Sequence, residues 1–215
     1  MKLVLHNYWR SSASHRVRIA LGLKRLDFEY VSVNLVHKDQ HAEVYRARNP
    51  LAQVPTLEIT EDDGVKRTLA QSLPILEYLE ERWPEVPLLP EDLYLRARTR
   101  MLAEIVNSGI QPLQNVSTTS KVTEFGGDAT VWVSGFIAGG LAAFARTAAE
   151  TAGAFCVGDA PTFADCCLVP QLASARRFGV DTAPFAALLE IEARCLALPA
   201  FASAAPNQQP DAVRS

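Results

Sequence analysis

Three prolines within nine residues divide this chain into two parts of different character. The segment PEVPLLPED (84–92) has no apolar periodicity, and each proline fixes the backbone and removes a hydrogen-bond donor. Before it, β-rich runs alternate with helical patterns, and after it the strand signal disappears. A chain of 215 residues can form two small domains that each bury a core. We therefore predict a domain at 1–83, a linker at 84–91 and a second domain at 92–215.

The first part predicts an α/β domain. Strand signals lie at 2–8, 28–33, 56–60 and 65–70, and helical signals begin near Ser12 and cover 72–83, with a short helix or loop at 39–48. The turn signal TEDDG joins the last two strands into a hairpin, and Ser72 is expected to cap the helix after it. The order β-α-β-(α)-β-β-α is typical of a thioredoxin-like sheet.

The second part predicts helices only. DLYLRARTRMLAEIVNSGIQPLQNV is expected to form one long amphipathic helix with a kink at Pro112. Residues 129–152 are expected to form a second helix. Thr162 and Asp165 have the spacing of a capping box at the start of a third.

Charge and hydropathy exclude several functional classes. A net charge of −3 and a pI near 5.8 argue against a general nucleic-acid binder. No apolar run is expected to reach the roughly 20 residues that cross a bilayer, and the start MKLVLHNY is too short in apolar residues for a signal peptide. We expect a cytoplasmic protein without a membrane or nucleic-acid partner.

The four cysteines predict neither a metal site nor a redox centre. They are Cys156, Cys166, Cys167 and Cys195. None stands in a Cys-x-x-Cys spacing, and free cysteines in intracellular proteins are commonly buried. We expect buried thiols, no metal and no catalytic role for them.

The stretch NYWRSSASHRVRIALGLK (7–24) combines serines and cations without an acid or a cysteine. Ser11 or Ser12 is expected to cap the first helix, a role worth about 1 kcal/mol. In a thioredoxin-like fold, however, this turn is where a thiol is handled, and the helix end favours an anion there. Since Ser11-x-x-Ser14 cannot exchange disulfides, a hydroxyl here is suited to stabilise the thiolate of a ligand. Capping and function are compatible.

Two further segments predict a binding site for an extended ligand. The residue before Pro55 is held extended, so Val54 can offer its backbone N–H and C=O to a ligand; the peptide bond between them is either cis or trans. Ser72 opens a helix, where its hydroxyl and N–H can hold a carboxylate. Together with the serine turn, these segments suit a thiol-containing tripeptide.

Five segments resemble the zeta-class glutathione transferases, which include maleylacetoacetate isomerase and, close to it, bacterial maleylpyruvate isomerase. They are SSASHRVRIALGLK, NPLAQVPTL, AQSLPILEYLEERWPEVPLLP, GIQPLQN and VGDAPTFADCCLVPQLASARRFGVD. The resemblance implies a thioredoxin-like N-terminal domain, an all-helical C-terminal domain, a homodimer and glutathione as cofactor. It assigns the glutathione site to Ser11, Ser12, Gln40, Val54, Gln71, Ser72, Gln111 and Asn115. The last two, four residues apart, are expected on one helix face.

The resemblance implies cis–trans isomerisation of a doubly anionic keto acid through thiolate addition, bond rotation and elimination. Ser11 would stabilise the thiolate, with Ser12 as the alternative. Arg10 beside the turn, and Arg177 or its neighbour Arg176, would meet the substrate's carboxylates and the developing enolate. The other cations of the first helix, Arg16 and Arg18, are expected to be structural or solvated, and His15 structural.

The sequence departs from this family at Ala13, where a cysteine is usual. The departure puts dehalogenase-type side activities in doubt but leaves the isomerisation, whose thiol belongs to glutathione. The whole-chain resemblance, especially at GIQPLQN and CLVPQ, favours maleylacetoacetate as the substrate. Three alternatives remain: maleylpyruvate as substrate, a general transferase or peroxidase acting on xenobiotics, and a glutathione-binding protein without turnover.

Overall fold

A computed structural model describes residues 1–213 and divides the chain into two compact units. One unit contains Met1–Pro87 together with the residues from Leu198 onward, and the other is Leu88–Ala197. The boundary between Pro87 and Leu88 falls inside the expected linker. The expected second domain differs at its end, because the chain from Leu198 belongs to the first unit.

The first unit has a four-stranded sheet with helices. Its elements before the boundary are β1 (Lys2–Asn7), α1 (Ser12–Leu23), β2 (Glu29–Ser32), a 3-10 turn (Asp39–His41), α2 (Glu43–Arg46), β3 (Thr56–Thr60), β4 (Lys66–Ala70) and α3 (Ser72–Arg82). The strand order is β2-β1-β3-β4, with β1 parallel to β2 and antiparallel to β3, and with β3 antiparallel to β4. The predicted thioredoxin-like arrangement is confirmed.

The core of this unit follows from the apolar pattern of its elements. Leu5 and Leu57 are cross-strand partners on β1 and β3, and both are fully buried. Val17 and Leu21, four residues apart, are fully buried on α1. A sheet covered by such a helix holds the end of β1, and the turn that follows it, in a fixed place.

Apart from an isolated β-bridge between Ala152 and Gly158, the regular elements of the second unit are helices. It contains α4 (Leu93–Asn107), a 3-10 turn (Gln111–Gln114), α5 (Val116–Glu124), α6 (Ala129–Ala148), α7 (Phe163–Arg177), a 3-10 turn (Ala183–Phe185) and α8 (Ala186–Leu196). The last described elements are α9 (Pro199–Ala204) and a 3-10 turn (Pro206–Gln208), and both belong to the first unit.

The expectation of one long helix kinked at Pro112 is wrong. The first helix stops at Asn107, and the chain resumes as a 3-10 turn with Pro112 near its start. A Cβ on Gly109 would lie 2.6 Å from the Ile105 carbonyl oxygen, so the exit from α4 requires glycine. The proline then cannot supply the N–H that would continue an α-helix.

Helix caps show what local sequence does and does not predict. The Thr162–Asp165 capping box is present as expected, and Ser11 caps α1. The expectation that Ser72 caps α3 is wrong, because Ser72 is the first helical residue and Gln71 occupies the cap position without a side-chain cap bond.

One helix departs from the expectation about apolar length. By length and composition alone, Ala129–Ala148 is apolar enough to cross a membrane, with a mean hydropathy of 1.3 over its window. Its buried residues form one stripe: Val133, Ile137, Leu141, Phe144 and Ala148. Since α6 packs against α4 and α5 and buries one stripe only, its composition fits a helix of a globular unit.

Candidate active site

The turn from β1 into α1 presents a hydroxyl at an open helix end. Ser11 closes the turn by donating its N–H to the Tyr8 carbonyl at 3.0 Å, and its Oγ accepts from the Ser14 N–H at 3.2 Å. Because Oγ acts there as an acceptor, the hydroxyl proton remains available to donate. Ser11 and Ser12 are half-buried, so both lie within reach of a ligand.

The charge around this helix end suits an anion. The first turn of α1 contains no acidic residue, and the N-terminus of a helix carries partial positive charge. Arg10 is exposed, with its guanidinium 5.7 Å from the centre of the Trp9 ring. Hydroxyl, helix end and cation together can stabilise a thiolate or a carboxylate.

The two other arginines of this stretch, Arg16 and Arg18, are buried. Of the two expected roles, the structural one is therefore correct and the solvated one is wrong. Arg18 donates to the Asn7 side chain at 2.9 Å and to the Trp9 carbonyl at 3.0 Å. Burial lowers the pKa of Arg18 to about 10, which leaves it charged at neutral pH. Arg16 is fully buried and donates to the Ser72 hydroxyl at 3.1 Å.

The segment before β3 is held by side chains of the preceding loop. Its Gln53 carbonyl accepts from the Tyr45 hydroxyl at 2.7 Å and from the Asn49 amide at 2.8 Å. The Val54–Pro55 peptide bond is cis, which answers the alternative that the sequence left open. Val54 is half-buried and stands next to the strand, where its backbone is suited to pair with an extended ligand.

A strained residue precedes the third helix. Gln71 has φ of 71°, in the region that favours glycine, and such backbone strain is concentrated at functional sites. Its amide donates to the Gln53 side chain at 3.1 Å, which joins this residue to the segment at Val54. The buried Ser72 accepts from Arg16, so a buried cation lies beside the N-terminus of α3.

Gln40 offers an unsatisfied acceptor. It lies in the 3-10 turn Asp39–His41, and its Oε1 is covered from solvent without a hydrogen-bond partner among the described residues. A covered acceptor costs free energy unless it is paired, and a ligand N–H would pair it.

In the helical unit, Gln111 and Asn115 contact each other. The Gln111 amide donates to the Asn115 side-chain oxygen at 2.8 Å, so the two polar groups lie together as expected. They do not share an α-helix face, because Gln111 begins a 3-10 turn and Asn115 is the cap residue of α5.

The two candidate arginines at the end of α7 differ in their partners. Arg176 makes a two-point ion pair with the buried carboxylate of Glu192, with one contact at 2.7 Å. The hydrogen bonds to Glu192 raise the pKa of Arg176. Arg177 is exposed, and its guanidinium lies 4.6 Å from the centre of the Phe178 ring. Both guanidinium groups are exposed at the end of the same helix, so the choice between them for a substrate carboxylate stays a prediction.

His15 and Ala13 lie behind the turn. Burial, with the neighbouring charge of Arg18, lowers the pKa of His15 to about 3, so the imidazole is neutral at physiological pH. This supports the expected structural role. Ala13 is buried as well, so a longer side chain at this position would need space inside the unit.

Comparisons with known proteins show that this chain is similar to glutathione transferases and to two isomerases. Residues 5–87 match the model of the glutathione S-transferase N-terminal domain. Maleylacetoacetate isomerase of Mus musculus is 45% identical over 213 residues, covering 98% of this chain and 95% of that protein. Maleylpyruvate isomerase of Ralstonia sp is 41% identical, covering 96% of this chain and 98% of that protein.

Solved structures of one bacterial relative carry ligands. Maleylacetoacetate isomerase from Anaeromyxobacter dehalogenans with bound GSH is 50% identical and has a TM-score of 0.91, covering 99% of this chain and 98% of that one. A second structure of that protein, with dicarboxyethyl glutathione and citrate in its active site, is 49% identical, with the same TM-score of 0.91 and the same shares of 99% and 98%.

Identity of this extent over nearly the whole length decides the family. The predicted resemblance and the predicted fold class are both confirmed. The chain belongs to the zeta-class glutathione transferase family that includes the maleylacetoacetate and maleylpyruvate isomerases.

Proposed function

We propose that this protein is a glutathione-dependent cis–trans isomerase that converts maleylacetoacetate to fumarylacetoacetate. The observation that carries the proposal is the open N-terminus of α1, where Ser11 caps the helix and keeps a hydroxyl proton to donate, with no acid in the first turn. The relatives named above are called isomerases of maleylacetoacetate and maleylpyruvate, which are unsaturated keto acids. General conjugation and binding without turnover are the less favoured alternatives.

The donor set of the first unit fits glutathione. Ser11 and Ser12 suit its thiolate, and the backbone of Val54 suits its peptide groups. Gln71 and Ser72, at the N-terminus of α3 and beside the buried Arg16, suit a carboxylate. The orphaned acceptor of Gln40 suits a ligand N–H. In the helical unit, we propose Gln111 and Asn115 as further contacts.

When bound, glutathione supplies a thiolate that adds reversibly to a conjugated double bond. The task of Ser11 is to keep that sulfur ionised. A free thiol with a pKa of about 8.5 is roughly 3% ionised at pH 7, and lowering that pKa by about 2 units takes about 2.7 kcal/mol. One charge-assisted hydrogen bond and a helix N-terminus together can supply this amount.

The arginines orient the substrate. Arg10, exposed beside the thiol turn, is placed to offset charge that develops on the keto acid. Arg177, with its neighbour Arg176 as the alternative, is proposed to hold a carboxylate. The ligand named dicarboxyethyl glutathione in the bacterial relative carries two carboxylates besides those of glutathione, which supports a doubly anionic substrate.

We further propose a cytoplasmic homodimer. The exposed face of α6 presents Val131, Trp132 and Phe136, with the two aromatic rings 4.8 Å apart. Apolar faces of this kind mark interaction sites, and a second copy of the chain is the partner that the family resemblance implies. Light scattering after size exclusion is expected to give about twice the 23.5 kDa chain mass, and a monomer would contradict the proposal.

The function is tested by following the ultraviolet absorbance of maleylacetoacetate in the presence of a hydrolase that cleaves only the trans product. Absorbance should fall only when enzyme and glutathione are both present. Maleylpyruvate in the matching assay separates the two isomerases. Background rates with both keto acids, beside rapid conjugation of a chlorinated aromatic acceptor, would show a general transferase instead.

A further inference from the structure

The tail of the chain carries a carboxylate that meets three groups of the sheet. Asp211 follows the 3-10 turn Pro206–Gln208. Its Oδ2 accepts from the Trp9 backbone N–H at 3.2 Å and from the Ser32 hydroxyl at 2.8 Å, and its Oδ1 accepts from the Tyr30 hydroxyl. One side chain therefore joins the C-terminal segment to β2 and to the turn after β1.

The tail reaches this point because α9 lies close against α1. A Cβ on Gly22 would stand 3.2 Å from Cα and Cβ of Ala200, so glycine permits the approach. Arg18 on α1 also donates to the Ala204 carbonyl at 3.1 Å. Phe201 between them is fully buried. Between α9 and Asp211 the tail is thus held at several points and not only at Asp211.

Both backbone polar groups of Trp9 are held by charged side chains. Its N–H donates to Asp211, and its carbonyl accepts from Arg18 at 3.0 Å. The next two residues are Arg10 and Ser11, and Ser11 closes the same turn through the Tyr8 carbonyl. The position of the Ser11 hydroxyl therefore depends on a turn whose supports come from α1 and from the tail.

We propose that Asp211 is a positioning residue for the thiol turn, acting through the Trp9 N–H to hold Ser11 where it stabilises the thiolate of glutathione. This inference rests on the proposed function, because it assigns the carboxylate to that same site. A displacement of about 1 Å in a catalytic group costs on the order of a hundredfold in rate, so a support for the turn has catalytic weight without touching the ligand.

Positioning and simple charge predict opposite changes in the bound thiol. A negative charge near a thiol raises its pKa, so removing Asp211 as a bare charge would lower the pKa of bound glutathione. If Asp211 acts by holding the turn, its removal loosens the Ser11 hydroxyl and the helix end, and the pKa of the bound thiol rises. The sign of the change separates the two effects.

The experiment compares Asp211→Ala and Asp211→Asn with the double variant Tyr30→Phe/Ser32→Ala. The double variant removes both donors on β2 and leaves the Trp9 bond to Asp211 in place. The pKa of bound glutathione is measured by titrating the ultraviolet absorbance of its thiolate, and stability by urea unfolding. Isomerase kcat and KM for each substrate are measured in parallel.

We expect Asp211→Ala to raise the pKa of the bound thiol by about 1 unit; a rise from about 6.5 to about 7.5 lowers the ionised fraction at about pH 7 about threefold. Asp211→Asn, which retains one acceptor oxygen, should give a smaller rise and covers the case that the alanine variant does not fold. The double variant should lose stability yet keep the thiol pKa and kcat of the wild type.

Two results would overturn the inference. One is an unchanged or lowered thiol pKa in a folded Asp211 variant. The other is a double variant that reproduces the full rise, since Asp211 would then only fasten the tail to β2. The thiol titration needs no keto acid, so a wild type that lowers the thiol pKa but isomerises nothing would refute the proposed function alone.

Discussion

Two helix N-termini in this molecule have similar cap residues but differ in whether they are open to an anionic ligand. The first, at α1, has the hydroxyl cap Ser11, and the second, at α7, has the hydroxyl cap Thr162; both cap residues are extended. Asp165, in the first turn of α7, is buried and fills the second helix end with a carboxylate, whereas the first turn of α1 has no acid. A helix N-terminus that already holds a carboxylate of the chain offers no site for an anionic ligand.

The protein's own thiols lie around the filled end. Cys156 donates its backbone N–H to Asp165 at 2.9 Å, and the Cys195 thiol contacts the same oxygen at 3.9 Å. Burial and the neighbouring carboxylate raise the pKa of both thiols. All four cysteines are buried, as expected, and none of them forms a disulfide. A helix N-terminus activates a thiol only where its donors are open and no carboxylate is near.

The largest effect is expected from removing the carboxylate at the filled end. Asp165 accepts from the Thr162 N–H and hydroxyl, each at 2.8 Å, and from Cys156. Asp165→Ala leaves these buried donors unpaired, so the free energy of unfolding should fall by roughly 3 to 5 kcal/mol. Asp128→Ala removes an exposed cap from α6 and should cost about 1 kcal/mol. Equal losses in urea unfolding would contradict the contrast.

A smaller effect is expected from pH on the inner side of α1. Since the folded-state pKa of His15 is about 3 against an ordinary 6.5, the unfolded chain binds a proton first as pH falls. The contribution of His15 to the free energy of unfolding is therefore fully present near neutral pH and is lost as pH drops from about 6.5 towards 3. Between pH 7 and pH 5 this one group accounts for about 2 kcal/mol.

His15→Asn should therefore flatten the loss of stability between these two pH values, measured by urea unfolding. Glu58 stays ionised over this range because, although burial opposes it, hydrogen bonds from Arg48 and His6 lower its pKa. The comparison between variants cancels what other groups contribute. His37→Gln, at an exposed position, is the matched control and should follow the wild type. A His15 variant with the wild-type slope would contradict the assignment.

The catalytic role of the open N-terminus of α1 is tested by Ser11→Ala. Loss of the hydroxyl donor should reduce kcat at least about tenfold, equivalent to about 1.4 kcal/mol of transition-state stabilisation. Ser11→Thr keeps a hydroxyl and a cap and should retain most of the rate, which separates catalysis from helix capping. Ser12→Ala is the paired variant. If Ser12→Ala lowers kcat more than Ser11→Ala, the thiolate role belongs to Ser12.

Sequence alone predicted the features that depend on local pattern. The alternation of strands and helices was sufficient for the thioredoxin-like sheet, and the Thr162–Asp165 spacing for the filled helix end. Ser11 or Ser12 was expected to cap α1 for the same reason, and Ser11 is the cap. Each of these depends on residues within one turn or one strand pair, where spacing determines which groups meet.

Features that depend on distant contacts were missed or wrong. Arg16 was expected to be structural or solvated and is structural, but its buried partner Ser72 on another helix was not foreseen. Asp211 meets Trp9 across 202 positions of sequence, and no periodicity or motif marks such a pair. The cap at Ser72 was wrong because Gln71 adopts a conformation that favours glycine. Long-range partners override local preference at these points.

The smallest effect is expected from replacing Cys195, a thiol beside the N-terminus of α7. This variant tests most directly whether the two helix ends act independently. Cys195 is fully buried and makes one weak contact with Asp165. Cys195→Ala should lower the free energy of unfolding by on the order of 1 kcal/mol, through lost packing, and leave kcat within about twofold. If catalysis uses only a borrowed thiol at α1, the endogenous thiols are dispensable for it. A tenfold loss of kcat in a variant of wild-type fold would mean that the two helix ends are coupled.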